Sequence, residues 1–452
     1  MPLSLLHDGH TVQLLQGGQE FFPALVRAID ASRFEVRFET YIFNMDASGE
    51  AVADALVRAA GRKVAVTLMM DGAGTPSLPL KWSAQFDAAG VKWHIFSPLG
   101  RIGWFIPSRW RRLHRKLCVV DGQTAFCGGI NVLDDFYDPN HGALDAPRFD
   151  FSVQVTGPLV RAMAETMAQF WWRSKAAKEA RDRDFPQAWA ALQSAMRLGA
   201  QARRDVATAE NAVALAPPAG TGAPRADDSL SDTLSDTLPG LLPGSLPGSL
   251  PNSPPQLPLA HSARAALVLR DNVRQRTQIE RAYRKAIGEA RSEIIIANAY
   301  FMPGARLRQG LIHAARRGVR VRLLLQGRYE YFMQYHAARP VFGALLAAGV
   351  EIHEYSPSFL HAKVAVIDSH WATVGSSNLD PLSLLLAREA NVVVTDSAFA
   401  LDLRQRLEHA MQHLGQLMDP AVYARRPMRQ RFLDRLAFGV MRLLLFLNGS
   451  RY

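Results

Sequence analysis

His114-Arg115-Lys116-Leu117-Cys118-Val119-Val120-Asp121 leads to Gly128-Gly129-Ile130-Asn131, and His361-Ala362-Lys363-Val364-Ala365-Val366-Ile367-Asp368 leads to Gly375-Ser376-Ser377-Asn378. Counted from each His, Lys stands at +2, Asp at +7, Gly at +14 and Asn at +17 in both stretches. Five such matches at about 5% usage each arise by chance roughly once in several million start points, so the pattern marks a duplication. Leu117 to Val120 and Val364 to Ile367 read as strands, in which residues two apart share a face, so His and Lys project together. Asp121-Gly122 and Asp368-Ser369 are turn signals, and Thr124 to Cys127 and Trp371 to Val374 read as return strands. The glycine that follows permits close backbone approach, and the chain brings Asn131 and Asn378 back beside their His and Lys.

The repeat extends outward. Ala59 to Gly72 echoes Ala314 to Gly327 at nearly the offset that separates His114 from His361. Phe34 to Phe43 and Glu293 to Phe301 read as strands, and Ala51 to Ala60 and Leu307 to Arg317 as helices. Val64 to Met70 and Val319 to Leu325 are continuous apolar runs, the mark of buried strands. Strands alternating with helices predict an α/β fold with mixed sheets. Residues 211–262, rich in Leu-Pro-Gly and Pro-Gly-Ser, read as a disordered linker. The expected organisation is a first half at 1–210, this linker, a second half at 263–415, and a basic amphipathic segment at 416–452.

The chain has 452 residues, 48% of them hydrophobic, enough for substantial cores, and a net charge of +11. That charge suits nucleic acid or an anionic lipid surface and does not choose between them. Cys118 and Cys127 are expected as free thiols in a reducing compartment. The N-terminus lacks the pattern of a signal peptide, and no apolar run reaches the ~20 residues that span a bilayer.

Two His, two Lys and two Asn suit phosphodiester chemistry without a metal. Lys116 and Lys363 would neutralise nonbridging oxygens, with Asn131, Asn378 and Ser376 as further donors and Gly129 at the position of Ser376 in the first copy. One His would attack phosphorus while the other acts as acid and base. Isolated histidines such as His7, His10, His94, His141, His313 and His353 lack the repeated spacing and are expected as ordinary hydrogen-bonded residues. Glu39 is balanced between a site role and a pair with Arg or Lys.

The two-motif signature resembles the phospholipase D superfamily. Glu39 to Phe43, Asn298 to Pro303 and Asn378 to Ser383 look like its bacterial cardiolipin synthase branch. The resemblance implies two pseudo-symmetric α/β/α sandwich halves with the active site at their seam. It implies His114 as nucleophile and His361 as acid/base, an acidic residue orienting each imidazole (Glu389 after the second copy, Asp150 after the first), and no cofactor. Asp121 and Asp368 belong to the motif and are counted with the catalytic set, although their turn positions suit a structural role. The implied activity is transfer of a phosphatidyl group from one phosphatidylglycerol to another, with phosphatidylethanolamine as an alternative donor. Hydrolysis of a phospholipid or of nucleic acid, with water as acceptor, is the competing reading. A non-catalytic lipid-binding module is disfavoured because both motifs are intact. The implied partners are phospholipids and an anionic membrane, not nucleic acid, and the implied location is the cytoplasmic side of a bacterial inner membrane. The interleaved aromatics and arginines of Ile102 to Arg112, and a C-terminal helix with Leu433, Leu436, Val440, Leu443, Leu444 and Leu447 on one face and Arg431, Arg435 and Arg442 on another, are the expected membrane contacts.

Overall fold

The computed structural model describes residues 6–100, 110–198, 200, 262–271, 275–328, 332–380 and 387–447. The aromatic-basic residues 102–109, nearly all of the expected linker and residues 381–383 lie outside them.

Each half contributes one mixed sheet. The first half supplies β1 (His7–Gln16), β2 (Glu35–Thr40), β3 (Ala65–Asp71), β4 (Lys92–Phe96), β5 (Arg112–Leu113), β6 (Lys116–Val120), β7 (Thr124–Gly128) and β8 (Phe151–Thr156). The second supplies β9 (Ala263–Arg270), β10 (Glu293–Asn298), β11 (Arg320–Gln326), β12 (Glu351–Tyr355), β13 (Lys363–Ile367), β14 (Trp371–Gly375), β15 (Ala387–Thr395) and β16 (Gly415–Leu417). The first sheet runs β1-β8-β7-β6-β2-β3-β4 and the second β9-β15-β14-β13-β10-β11-β12-β16, so the seven strands of the first match the first seven of the second in order and β16 adds an edge to the second. β1 and β9 pair antiparallel through His7 with Ala265 and His10 with Ala263, which joins the two sheets.

Helices cover the sheets in layers. α1 (Gly17–Asp30), α2 (Ala47–Gly61) and α3 (Leu80–Ala89) cover the outer face of the first sheet. α5 (Gln278–Glu289), α6 (Ala305–Arg316), α7 (Phe332–Leu346) and α9 (Met428–Leu447) cover that of the second. Between the sheets lie α4 (Leu159–Arg181) and α8 (Ser397–His413). In β6, Leu117 and Val119 enter the core between the sheets while Cys118 and Val120 enter the outer core. Both faces of this strand are therefore buried, which is why its sequence reads as an unbroken apolar run. Leu117, Val119 and Val153 share their core with Val364, Val366 and Val392 of the other half. Each such side chain contributes roughly 2 kcal/mol on burial, so the halves form one packed body. Cys118 and Cys127 point to opposite faces and are free. Burial pushes the Cys127 thiol up to about 12. No helix among the described residues is long and apolar enough to cross a membrane.

The motif hairpins turn through residues with positive φ: Asp121 at 52° and Gly122 at 64°, Asp368 at 51° and Ser369 at 49°. The Asp121 carboxylate accepts from the backbone N–H groups of Arg33, Phe34 and Glu35, and that of Asp368 from those of Arg291, Ser292 and Glu293. Each aspartate thus clamps the start of the neighbouring strand. A strand's rise puts it roughly 20 Å along the chain from its His, so Asp121 and Asp368, expected with the catalytic set, are placed at the hairpin turns, where their partners are backbone N–H groups. Burial works against both charges, but the backbone donors outweigh it and hold both carboxyls below their ordinary value. The clamps are therefore intact above about pH 4 and weaken as pH falls through the lowered value. Asp121→Ala and Asp368→Ala should each lower stability by roughly 1–3 kcal/mol in urea titrations, with turnover retained under native conditions.

Candidate active site

The two halves meet through the backbone segments that lead into each His. β5 runs parallel to the start of β15, and His114 N–H donates to the Arg388 carbonyl at 3.1 Å. In the mirrored place Leu360 bridges Phe149, and His361 N–H donates to the Phe149 carbonyl at 2.9 Å. The residue after each acceptor is an acid. Glu389 lies with Oε1 3.0 Å and Oε2 3.1 Å from His114 Nδ1, and Asp150 Oδ2 lies 2.7 Å from His361 Nδ1. Each half therefore supplies the carboxylate for the other half's imidazole. With Nδ1 engaged in both rings, Nε2 is the atom left for chemistry.

A second tier fixes these segments. Asp71, at the end of β3, accepts from Leu113 N–H at 2.6 Å and from Arg112 Nη1 at 2.9 Å. Gln326, at the same place on β11, accepts from Leu360 N–H at 3.0 Å. The residue before each His is thus held by a side chain at an equivalent strand end. Glu39 takes the pairing role: Arg115 binds it through Nε at 2.5 Å and Nη2 at 3.0 Å. Arg115 and Arg388 both stack on the Phe170 ring, at 4.9 Å and 4.7 Å.

Lys116 and Lys363 are buried, and each ammonium reaches back to the carbonyl of its own His. Asn131 Oδ1 accepts from Ile42 N–H at 3.2 Å, and Asn378 Oδ1 is buried without a hydrogen-bond partner among the described residues. Both asparagines line the cleft. Ser376 does not. Its hydroxyl donates to Glu389 Oε2 at 2.5 Å and accepts from Ala390 N–H at 3.1 Å, so it positions the carboxylate instead of meeting substrate. Gly129 also acts on the carboxylate of its own half. A Cβ there would lie 2.2 Å from Asp150 Oδ1, so the glycine makes room for the shorter acid. Gly with Asp in one half and Ser with Glu in the other are two solutions to one packing problem.

The cleft holds about 670 Å³ and is lined by His114, His361, Asn131, Asn378 and Asp150. The rest of its wall comes mainly from the first half and includes polar Asn44, Ser77, Asp135 and Asn140, with Tyr300 and Asp380 from the second. Arg148, two residues before Asp150, also lines it and is tied to Asp138 at 2.6 Å. The Arg148-Phe149-Asp150 triplet was its only signal in the sequence. Tyr41 packs edge-on against the His114 ring at 4.9 Å.

Burial governs the charges. It lowers both histidines below their ordinary value. The two lysines deepen the drop at both rings, and the Glu389 carboxylate opposes it at His114, while His361 lies well below its ordinary value. Burial brings Lys116 down to about 7 and raises the Asp150 carboxyl to about 6. An anion in the cleft would restore the positive charges that burial disfavours.

Residues 25–143 and 283–411 match the family described as "Cardiolipin synthase, PLD-like domain". Cardiolipin synthase B of Escherichia coli strain K12 is 33% identical over 446 residues, covering 96% of this chain and 88% of that protein. Cardiolipin synthase A of Pseudomonas putida strain GB-1 is 28% identical over 403 residues, covering 88% of this chain and 67% of that protein. The crystal structure of phosphatidylserine synthase from Haemophilus influenzae Rd KW20 superposes with a TM-score of 0.60 and 12% identity, covering 96% of this chain and 94% of that one, a likeness of fold.

Gly129→Ser should drive the Asp150 carboxylate off His361 and cut turnover about a hundredfold, with the far-ultraviolet circular dichroism unchanged. Adding Asp150→Glu rebuilds the pair found in the second half and should recover much of that loss. Dimethyl phosphate, a monoanion across the neutral range, should bind more weakly as pH rises through about 7, where Lys116 loses its proton. Calorimetric titration checks this, and Lys116→Met should flatten the dependence.

Proposed function

Since the chain belongs to the cardiolipin synthase, PLD-like family, we propose that it transfers a phosphatidyl group from one phosphatidylglycerol to another, yielding cardiolipin and glycerol. The observation that carries this reading is the pair of imidazoles facing one cleft, each with Nδ1 held by a carboxylate and a lysine beside it. In the first step His114 Nε2 attacks phosphorus and the bond to the glycerol oxygen breaks, with His361 Nε2 donating the proton that glycerol carries away. In the second, His361 takes a proton from the primary hydroxyl of the acceptor lipid, whose oxygen displaces His114 from phosphorus. Lys116, Lys363, Asn131 and Asn378 stabilise the charge gathering on the nonbridging oxygens. The polar wall of Asn44, Ser77 and Asn140 suits a hydroxylated headgroup, which favours an alcohol as acceptor. Phosphatidylethanolamine as donor is a variant of the same chemistry. The proposed setting is the cytoplasmic face of a bacterial inner membrane, with the protein bound peripherally.

One observation favours the opposite assignment of the two histidines. Burial and both lysines press each ring toward neutrality, but His361 lies well below its ordinary value while Glu389 opposes the drop at His114. A neutral imidazole is the nucleophile, so this balance leans toward His361 for that role.

Purified protein with phosphatidylglycerol vesicles in EDTA, followed by mass spectrometry of lipids and headgroups, tests the reaction. Cardiolipin with glycerol, lost in His114→Ala and in His361→Ala, is the expected result. Phosphatidic acid alone makes water the acceptor and the protein a hydrolase, and cleavage of nucleic acid with no lipid turnover overturns the lipid reading. With a p-nitrophenyl phosphodiester donor, whose leaving group needs no proton, phosphohistidine trapped by alkaline denaturation should persist in His361→Ala and vanish in His114→Ala. The reverse pattern exchanges their roles.

A further inference from the structure

The last helix, α9, has two unlike faces. Asp434, Ala437 and Met441 are 1%, 3% and 3% exposed and pack on the second half. Asp434 is the one acid between Met428 and Leu443, and it is consumed internally: His336 Nδ1 lies 2.7 Å from Oδ1, and Arg426 Nη1 donates to Oδ2 at 2.9 Å. The outward face carries Phe432, Leu436, Val440 and Leu443, exposed by 69%, 52%, 40% and 57%. Arg429, Arg431, Arg435 and Arg442 flank this stripe, and none has a carboxylate partner among the described residues. A helix docked on a core ordinarily turns a polar face to water. An apolar stripe bordered by unpaired arginines is instead the pattern of a helix lying in a lipid interface.

The orientation of α9 connects this face to the cleft. Asp434 meets His336, while the preceding Tyr423 meets Arg339 and Gly343, and Arg431 lines a cavity with Gly343 and Leu346. α9 therefore runs antiparallel to α7, and its later turns lie toward the start of α7. There Tyr335 shares a small pocket with Tyr300, which also lines the cleft.

We propose that the outer face of α9 is the surface by which this protein docks on an anionic phospholipid bilayer, with Phe432, Leu436, Val440 and Leu443 in the acyl boundary and the arginines on the headgroup phosphates. The later turns of α9 lie toward Tyr335, whose pocket shares Tyr300 with the cleft, so docking there would set the site near the headgroup layer. The benefit to catalysis rests on the lipid-transfer reading above; the docking itself does not. Nucleic acid has no use for the apolar stripe, and the arginines give a second copy of this positive surface no counter-charge.

The test uses full-length wild type and the triple variant Phe432→Glu, Leu436→Glu, Leu443→Glu, whose exposed positions leave the fold undisturbed by circular dichroism. Wild type should float with vesicles containing phosphatidylglycerol and far less with pure phosphatidylcholine. The triple variant should lose at least about tenfold in partitioning. Arg435→Ala and Arg442→Ala should each weaken binding to phosphatidylglycerol vesicles about fivefold. Turnover of soluble dihexanoyl phosphatidylglycerol should survive in the triple variant while turnover of vesicular lipid falls. Flotation of the triple variant equal to wild type overturns the proposal. So does a dimer in sedimentation velocity that the triple variant dissociates while flotation persists, since the stripe would then be an interface between copies. Stripe-dependent flotation without turnover of the soluble lipid supports the docking surface and rejects the transfer reading.

Discussion

The structure depends on an exchange across its seam: a buried carboxylate from each half holds Nδ1 of the other half's histidine. A carboxylate taken out of water is costly unless hydrogen-bonded or paired, and breaking such a pair leaves an uncompensated buried charge. Neither half can satisfy its own acid by this contact, because the ring that completes it comes from the partner half. The backbone repeats the exchange, since each His donates its N–H to the residue before the other half's acid. The apolar core between the sheets supplies the binding energy, and the exchanged pairs set the register at which the halves meet.

Duplication gives the site its frame, and the departures from symmetry give it direction. Asp71 and Gln326 hold equivalent backbone positions, one with a charge that Arg112 offsets and the other without charge. Asp150 lies against Gly129, whereas the longer Glu389 is steadied by the Ser376 hydroxyl. Arg148 stands near His361, while Ala387 holds the corresponding place two residues before Glu389. The two imidazoles therefore sit in different fields although their motifs match, and a reaction that needs one neutral ring and one protonated ring needs that difference.

Much of this was legible in the sequence because the motif is local. The apolar run Leu117 to Val120 and the turn at Asp121 dictate a hairpin, and the His and Lys two residues apart enter it together. Partnership across the seam was not legible, since spacing says nothing about which half an acid faces. Ser376 read as a phosphate donor because a hydroxyl in a motif gives no sign that a neighbouring strand consumes it. Gln326 and Asp71 escaped notice because they share a position but not a side-chain type. The C-terminal periodicity was read as one apolar face. Small Ala437 and paired Asp434 concealed the second, buried face, while the large outward side chains carried the visible pattern.

The central claim is the exchange itself, and nitrogen-15 NMR of the imidazoles tests it most directly. Glu389→Gln removes the charge that supports a proton on His114. The account predicts that this substitution lowers the His114 titration and moves its Nδ1 resonance while His361 changes little, and that Asp150→Asn moves His361 while His114 changes little. If each substitution instead perturbs the histidine of its own half, the halves do not complete one another and the account is wrong.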